Sequence, residues 1–192
     1  HLDDAYQRFF AHLSNYPNFK KKCNRQSYTT INNKGNIKIF DDGIKLPKIG
    51  KVKCKVTRTI EGRILSATIS KETTGKYFVS VLCTEVDIEP LEKTNQVCGI
   101  DMGQYTYCTF DNGNKIDNPK FLIQSLPKTK RANKNLSRKK KGSANYEKAR
   151  KKKAKIEAKI AAQRSDFQHK LSKQIVSDYD IICIENLNAN EM

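Results

Sequence analysis

The chain has 192 residues, of which 37 are Lys or Arg and 20 are Asp or Glu, a formal net charge of +17 at pH 7. With 37% hydrophobic residues it can build one large core or two small ones. So large a positive excess costs self-repulsion and calls for a polyanionic partner, either nucleic acid or a membrane surface. The sequence has no apolar run of roughly 18 residues and no signal-peptide core, so nucleic acid is the expected partner, with no membrane. The expected setting is cytoplasmic and nucleoid-associated.

Residues 1 to about 14 carry Leu2, Ala5, Tyr6, Phe9, Phe10 and Leu13 at helical spacing, with Asp3 and Asp4 at the favourable N-terminal end. A short amphipathic helix is expected, the end of a helical element covering 1–26. From about Ser27 to Pro90 the pattern has period two. Ile37–Phe40, Ile44–Leu46, Lys51–Val56, Arg63–Lys71 and Tyr77–Cys83 read as strands, with turns at Asp41-Asp42-Gly43 and Thr73-Thr74-Gly75. They predict a small antiparallel sheet or barrel over 27–93. Its outward lysines protect strand edges and can also face phosphate. Tyr28, Tyr77 and Phe78 read as core residues, with base stacking as the alternative.

A second β unit, 94–192, begins with the apolar strand Val97–Ile100, which runs into Asp101. A strand over Tyr105–Phe110, an Asp111-Asn112-Gly113-Asn114 turn and a short strand reaching Ile116 follow. The next stretch is helical and very basic. Between Lys128 and Lys155 there are fourteen Lys or Arg residues and one acid, Glu147. A long helix is expected from near Ser143, with the apolar stripe Ala149, Ile156, Ile160, Phe167, Leu171 and Ile175. Docked on a sheet through Ile156, Ile160, Phe167 and Leu171, it would turn Arg150, Lys151, Lys152 and Lys155 toward a phosphate backbone. Arg138, Lys139, Lys140 and Lys141 join that surface. A solvated charged segment and a nuclear-import signal are the competing readings of this run. Arg164, Asp166, His169 and Lys170 form an i, i+3, i+4 group on the helix, as local ion pairs or as contacts to a substrate strand. Ile181–Ile184 reads as a buried strand leading into Glu185.

The six cysteines, Cys23, Cys54, Cys83, Cys98, Cys108 and Cys183, form no C-x-x-C pair, and most lie in strand-like runs. They read as small reduced core residues. His1, His12 and His169 are too scattered to add a zinc site, so no zinc is assigned to these residues.

Asp101 and Glu185 each end a buried apolar strand. If the two strands are neighbours, the carboxylates converge and repel one another unless cations offset the cost. A pair of Mg²⁺ ions about 4 Å apart does so and supports phosphodiester hydrolysis. The order of elements, three antiparallel strands, a basic helical region and then a parallel strand, is the RNase H-like layout. The fold class expected is therefore α+β or α/β, a small antiparallel barrel followed by an incomplete RNase H-like mixed sheet with long basic helices.

Five segments also carry a family resemblance. Gly99–Gly103, Lys115–Phe121, Leu136–Ser143, Arg164–Ser172 and Ile184–Asn188 together resemble the TnpB/OrfB proteins of insertion sequences, a family of RNA-guided DNA endonucleases related to compact type V CRISPR effectors. The resemblance implies that the β region is a wedge-like domain holding guide RNA. It also implies that residues from about Gln96 begin a RuvC nuclease cutting target DNA with Mg²⁺. Asp101 and Glu185 match its first two catalytic, metal-binding carboxylates. The family pattern continues with a four-cysteine Zn²⁺ ribbon and a third catalytic Asp, neither of which occurs before Met192. The expectation is a piece of a longer protein, inactive by itself. A non-catalytic nucleic-acid-binding protein and a DDE-type transposase are the alternatives.

Overall fold

Period-two alternation organises the first unit, residues 1–86, and a strand–helix–strand order organises the second, 87–192. The structure is a computed structural model and describes residues 2–19, 21, 26–87 and 89–186. Among the described residues no helix is long and apolar enough to cross a membrane.

The first unit opens with helix α1, Leu2–Phe10. Strands β1 (Gln26–Ile31), β5 (Arg63–Lys71) and β6 (Tyr77–Thr84) form one antiparallel sheet in the order β1-β5-β6. Strands β2 (Lys38–Phe40), β3 (Gly43–Leu46) and β4 (Gly50–Lys53) form another in the order β2-β3-β4. Alternation along β3 turns Ile44 and Leu46 inward, where they meet Ile37 and Ala67. Ile39, Cys54, Ile64, Ile69, Val79 and Val81 pack around them. The Thr73–Gly75 turn forms as expected. Gly75, at φ +86°, donates its N–H to the Glu72 carbonyl at 2.9 Å.

Three expectations need correction in this unit. Among the described residues no barrel closes, because the strands pair within two separate three-stranded sheets. Strand β4 stops at Lys53 rather than Val56, since its partner β3 begins at Gly43. One further bond, from Cys54 N–H to the Asp42 carbonyl at 3.1 Å, extends the ladder. Tyr28, Tyr77 and Phe78 are exposed, not core. Phe78 lies across from Ser70 on the outward face, Tyr77 pairs with Lys71 at a strand end, and Tyr28 sits on edge strand β1.

The second unit holds a four-stranded sheet of order β10-β7-β8-β9, built from β7 (Val97–Met102), β8 (Thr106–Phe110), β9 (Lys115–Asp117) and β10 (Ile181–Ile184). β7, β8 and β9 pair antiparallel, and β10 pairs parallel to β7. Two helices join β9 to β10. Helix α2 spans Phe121–Ser137. Helix α3 spans Ala144–Asp178 and is N-capped by Ser143, whose side chain accepts the Tyr146 N–H at 3.1 Å. The two pack against each other. At 1.5 Å per residue, α2 reaches about 25 Å and α3 about 52 Å, so α2 can flank only half of α3.

The far end of α3 lies on the sheet. Leu171, Ile175 and Tyr179 pack with buried Cys98, Ile100 and Cys108. Phe167 stands between the two neighbours of α3, edge-on to Tyr107 of β8 at 5.0 Å and to Phe121 of α2 at 6.2 Å between ring centroids. The expected docking of α3 through Phe167 and Leu171 is therefore seen, while Ile156 and Ile160 fall on the half that runs toward the α2 turn. Cys98 and Cys108 are core residues, and burial pushes the Cys98 thiol up, with Asp111 and Cys183 adding to the shift. Cys54 and Cys83 are half-buried, Cys183 is exposed, and Cys23 lies outside the described residues.

β10 reads as buried in sequence, yet all four of its residues are exposed. It is an edge strand with β7 on one side only. Its entry is held by Asp180. That carboxylate accepts the Thr94 N–H at 3.1 Å, the Asn95 N–H at 2.8 Å and the Thr94 hydroxyl at 3.3 Å, while the Asp180 N–H donates to the Gln96 carbonyl at 3.0 Å. The bonds from the Thr94 and Asn95 amides hold the Asp180 carboxyl below its ordinary value of 3.8.

Two outcomes test this architecture. Ile44, 2% exposed, should cost about 2–5 kcal/mol on truncation to Ala, read by urea unfolding. For Asp180 the depressed pKa means that its stabilisation is present above the unfolded value and is lost as pH falls through the folded one. Asp180→Asn should lower the Tm at neutral pH. Its gap to the parent should close as pH drops beneath the usual carboxylate range, as followed by thermal melts across pH.

Candidate carboxylate site and basic surfaces

The pairing of β7 and β10 is in register without a break, Ile181 beside Val97, Ile182 beside Cys98, Cys183 beside Gly99 and Ile184 beside Ile100. Asp101 is the next residue of β7, and Glu185 directly follows β10. Continuing the register by one residue would set them side by side, at about the 4.8 Å spacing of neighbouring strands. Cys98 and Ile100 turn inward to the α3 side, so Asp101, of opposite parity, belongs to the other face, and it and Glu185 are exposed.

The same face continues across β8. Asp101 pairs with Thr109, and Asp111 lies two residues further along. Asp111 holds β7 from that side. Its N–H donates to the Gly99 carbonyl and its carboxylate accepts the Gly99 N–H, both at 3.0 Å. In sequence Asp111 reads only as a turn residue, and Asn118 only as part of the Lys115–Phe121 segment. The Asn118 amide donates to the Gln104 carbonyl at 2.9 Å and accepts the Lys120 N–H at 3.0 Å, tying the loop after β7 to the start of α2. An Asn three residues before a helix, next to Pro, was the available signal.

Two exposed carboxylates at adjacent strand ends suit a hard cation that takes few protein oxygens and completes its shell with water and phosphate, which describes Mg²⁺. Among the described residues no cluster of three or more His, Cys, Asp or Glu able to hold a metal forms. Among the described residues, these two acids would be the donors.

The expected basic residues fall into two classes. Arg138, Lys139, Lys140 and Lys141 form the exposed turn between α2 and α3. Lys151, Lys152 and Lys155 are exposed on α3. Together with Lys148 and Lys159, which the sequence pattern does not single out, they make a stripe at steps of three, one, three and four residues, about 16 Å long and free of acids. Arg150 lies off this stripe and is bonded to Glu147, at 2.8 Å from its Nη2. Further along, Lys170 pairs with Asp166 at 2.8 Å, which is the local ion pair rather than a free strand-facing cation, while Arg164 and His169 are exposed.

The first unit carries a basic face of its own. Register sets Lys38 opposite Lys45 and Lys45 opposite Lys51 across β2, β3 and β4, all on the side away from Ile44. Like charges directly opposed on neighbouring strands destabilise a sheet. Lys51 is partly offset by Asp42 at 2.8 Å and by the Phe40 ring, 5.0 Å from its Nζ. The hydrogen bond from Lys51 pulls the Asp42 carboxyl down.

Comparison with known proteins agrees with the motifs. The family model OrfB_IS605, described as "Probable transposase", matches residues 80–192. A Streptomyces pristinaespiralis protein named "Putative RNA-guided DNA endonuclease" is 34% identical over 196 aligned residues, covering 100% of this chain and 48% of its own length. A second, from Escherichia coli strain K12 and named "Putative RNA-guided DNA endonuclease InsQ", is 26% identical over 195 residues and covers 100% of this chain and 47% of itself. The chain thus spans about half the length of the curated relatives it matches. On a family match over more than half its residues, the chain belongs to the OrfB/TnpB family of insertion-sequence proteins.

Proposed function

We propose that this chain is the guide-RNA-holding and first nuclease segment of a transposon-associated, RNA-guided, Mg²⁺-dependent DNA endonuclease with an RNase H-like (RuvC-type) site. The observation that carries this reading is the unbroken parallel register of β7 and β10, which ends at Ile100 and Ile184, one residue before Asp101 and Glu185. The names of the two relatives support RNA and DNA as partners. In such proteins base pairing reads sequence, and the protein grips the backbone by shape and charge. Asp101 and Glu185 would hold Mg²⁺, which when bound activates water and stabilises the leaving oxygen of a phosphodiester. The protein's own part is to keep both acids open to a polyanion and to hold the strand ends rigid through Asp111 and Asn118. The lysine stripe of α3, the Arg138–Lys141 turn and the lysine row of β2–β4 would neutralise phosphates along guide or target.

The domain limits proposed are 1–26, 27–93 and 94–192, the middle one wedge-like. A second reading, a nucleic-acid-binding protein without cleavage, is favoured by one observation, that among the described residues no group of three or more His, Cys, Asp or Glu able to hold a metal forms. The two readings part in a direct assay. With Mg²⁺ the 192-residue chain alone should hydrolyse single-stranded DNA very little. A full-length protein carrying this chain should cleave when loaded with its RNA and lose cleavage in Asp101→Ala or Glu185→Ala. Strong hydrolysis by the chain alone that Asp101→Ala abolishes would mean the site is complete within it. Persistence of cleavage by the RNA-loaded full-length protein in both variants would remove the assignment.

For the basic surfaces, neutralising Arg138, Lys139, Lys140 and Lys141 should weaken RNA binding. The slope of log K against log salt should flatten by about one unit for each phosphate left without its cation. Unchanged affinity and slope in filter binding would exclude this turn from the interface.

A further inference from the structure

A parallel edge strand of four residues has little of its own to choose a register. β10 is exposed along its whole length, and no turn connects it directly to β7. A slip by one residue would carry every side chain of β10 to the opposite face and take Glu185 away from Asp101. Something at the start of the strand has to select the pairing. Asp180, the residue immediately before β10, is placed to do so. It engages Thr94 and Asn95 through three hydrogen bonds, two to backbone N–H groups and one to a hydroxyl. Thr94 and Asn95 lie three and two residues before Val97, the first residue of β7. The Asp180 and Ile181 N–H groups both reach the Gln96 carbonyl, at 3.0 and 3.3 Å.

We propose that Asp180 is a positioning residue that sets the register of β10 against β7 and so brings the carboxylates of Asp101 and Glu185 together. It lies at the opposite end of the strand pair from the two acids. Its carboxylate captures the two amides that precede β7, where a side chain without an acceptor would leave them to water, and it indexes Ile181 onto Val97. Four residues on, the same index sets Glu185 at the level of Asp101. Asn95, whose N–H donates to Asp180, has φ +56°, in the left-handed region. The role rests on the proposed nuclease reading for its importance to cleavage, though not for its geometry.

The geometric claim is tested by itself in the full chain. In a Cys183→Ser background, Asp101→Cys with Glu185→Cys should form a disulfide readily under mild oxidation, because a register continued by one residue would set the two Cα atoms about 4.8 Å apart, within the bridging range. Adding Asp180→Ala should cut the yield several-fold, and Asp180→Asn, which keeps one acceptor oxygen, should give an intermediate yield while guarding against a simple loss of folding. A yield unchanged by both substitutions in a folded chain overturns the proposal. In a full-length RNA-loaded protein carrying this chain, Asp180→Ala should lower kcat for DNA cleavage several-fold with RNA affinity and KM little changed. A fall in RNA affinity equal to the fall in cleavage would mean a general structural role and would also overturn it. Should Asp101→Ala leave cleavage intact, the nuclease reading fails, and the crosslinking result still decides the register claim.

Discussion

The second unit depends on one parallel contact, β10 laid in register beside β7. Parallel strands need a crossover to connect them, and here the crossover is the whole α2–α3 excursion from Phe121 to Asp178. The candidate carboxylate site of this unit and the residue that indexes it sit at the ends of that contact. Asp101 and Glu185 lie where the strands finish, and the hydrogen bonds of Asp180 lie where they start. Asp111 and Asn118 brace β7 from its other neighbour and from the loop beyond it.

The crossover does more than return the chain. Helix α3 is long enough to serve two partners, with its C-terminal part sealing the sheet core through Leu171 and Ile175 and its N-terminal part carried beyond the sheet alongside α2. Phe167 joins the two halves by ring contacts to both β8 and α2. The lysine stripe is thus mounted on a hairpin anchored at the same sheet that carries the acids. Aromatic packing, not charge, fixes that mounting, because the stripe itself is solvated and mutually repulsive.

Surface ion pairs divide the basic residues in a way that charge counting does not. Arg150 and Lys170 each have a neighbouring acid one turn away, so part of their charge is answered locally. Lys148, Lys151, Lys152, Lys155 and Lys159 lie on an arc that no acid shares. The lysine row on β2–β4 arises from strand register, which opposes residues far apart in sequence.

The sequence by itself determined the elements and their chemistry. Period-two runs marked nearly every strand, Ser143 marked the start of α3, Gly75 and Gly113 marked hairpin turns, and two acids at the ends of apolar strands marked the candidate site. These signals are local, carried by side-chain periodicity and backbone preference, and so they survive without neighbours. Tertiary structure alone decided how the elements meet. An alternating run does not say whether strands close into a barrel or pair as two separate sheets, since both bury the same face. The apolar run Ile181–Ile184 reads as buried, yet its exposure depends on how many strands flank it, which is a count made in space. The side chains that hold the site together, Asp180, Asp111 and Asn118, act on backbone N–H and C=O groups that nearly every residue carries, so the sequence does not say which partner each one takes.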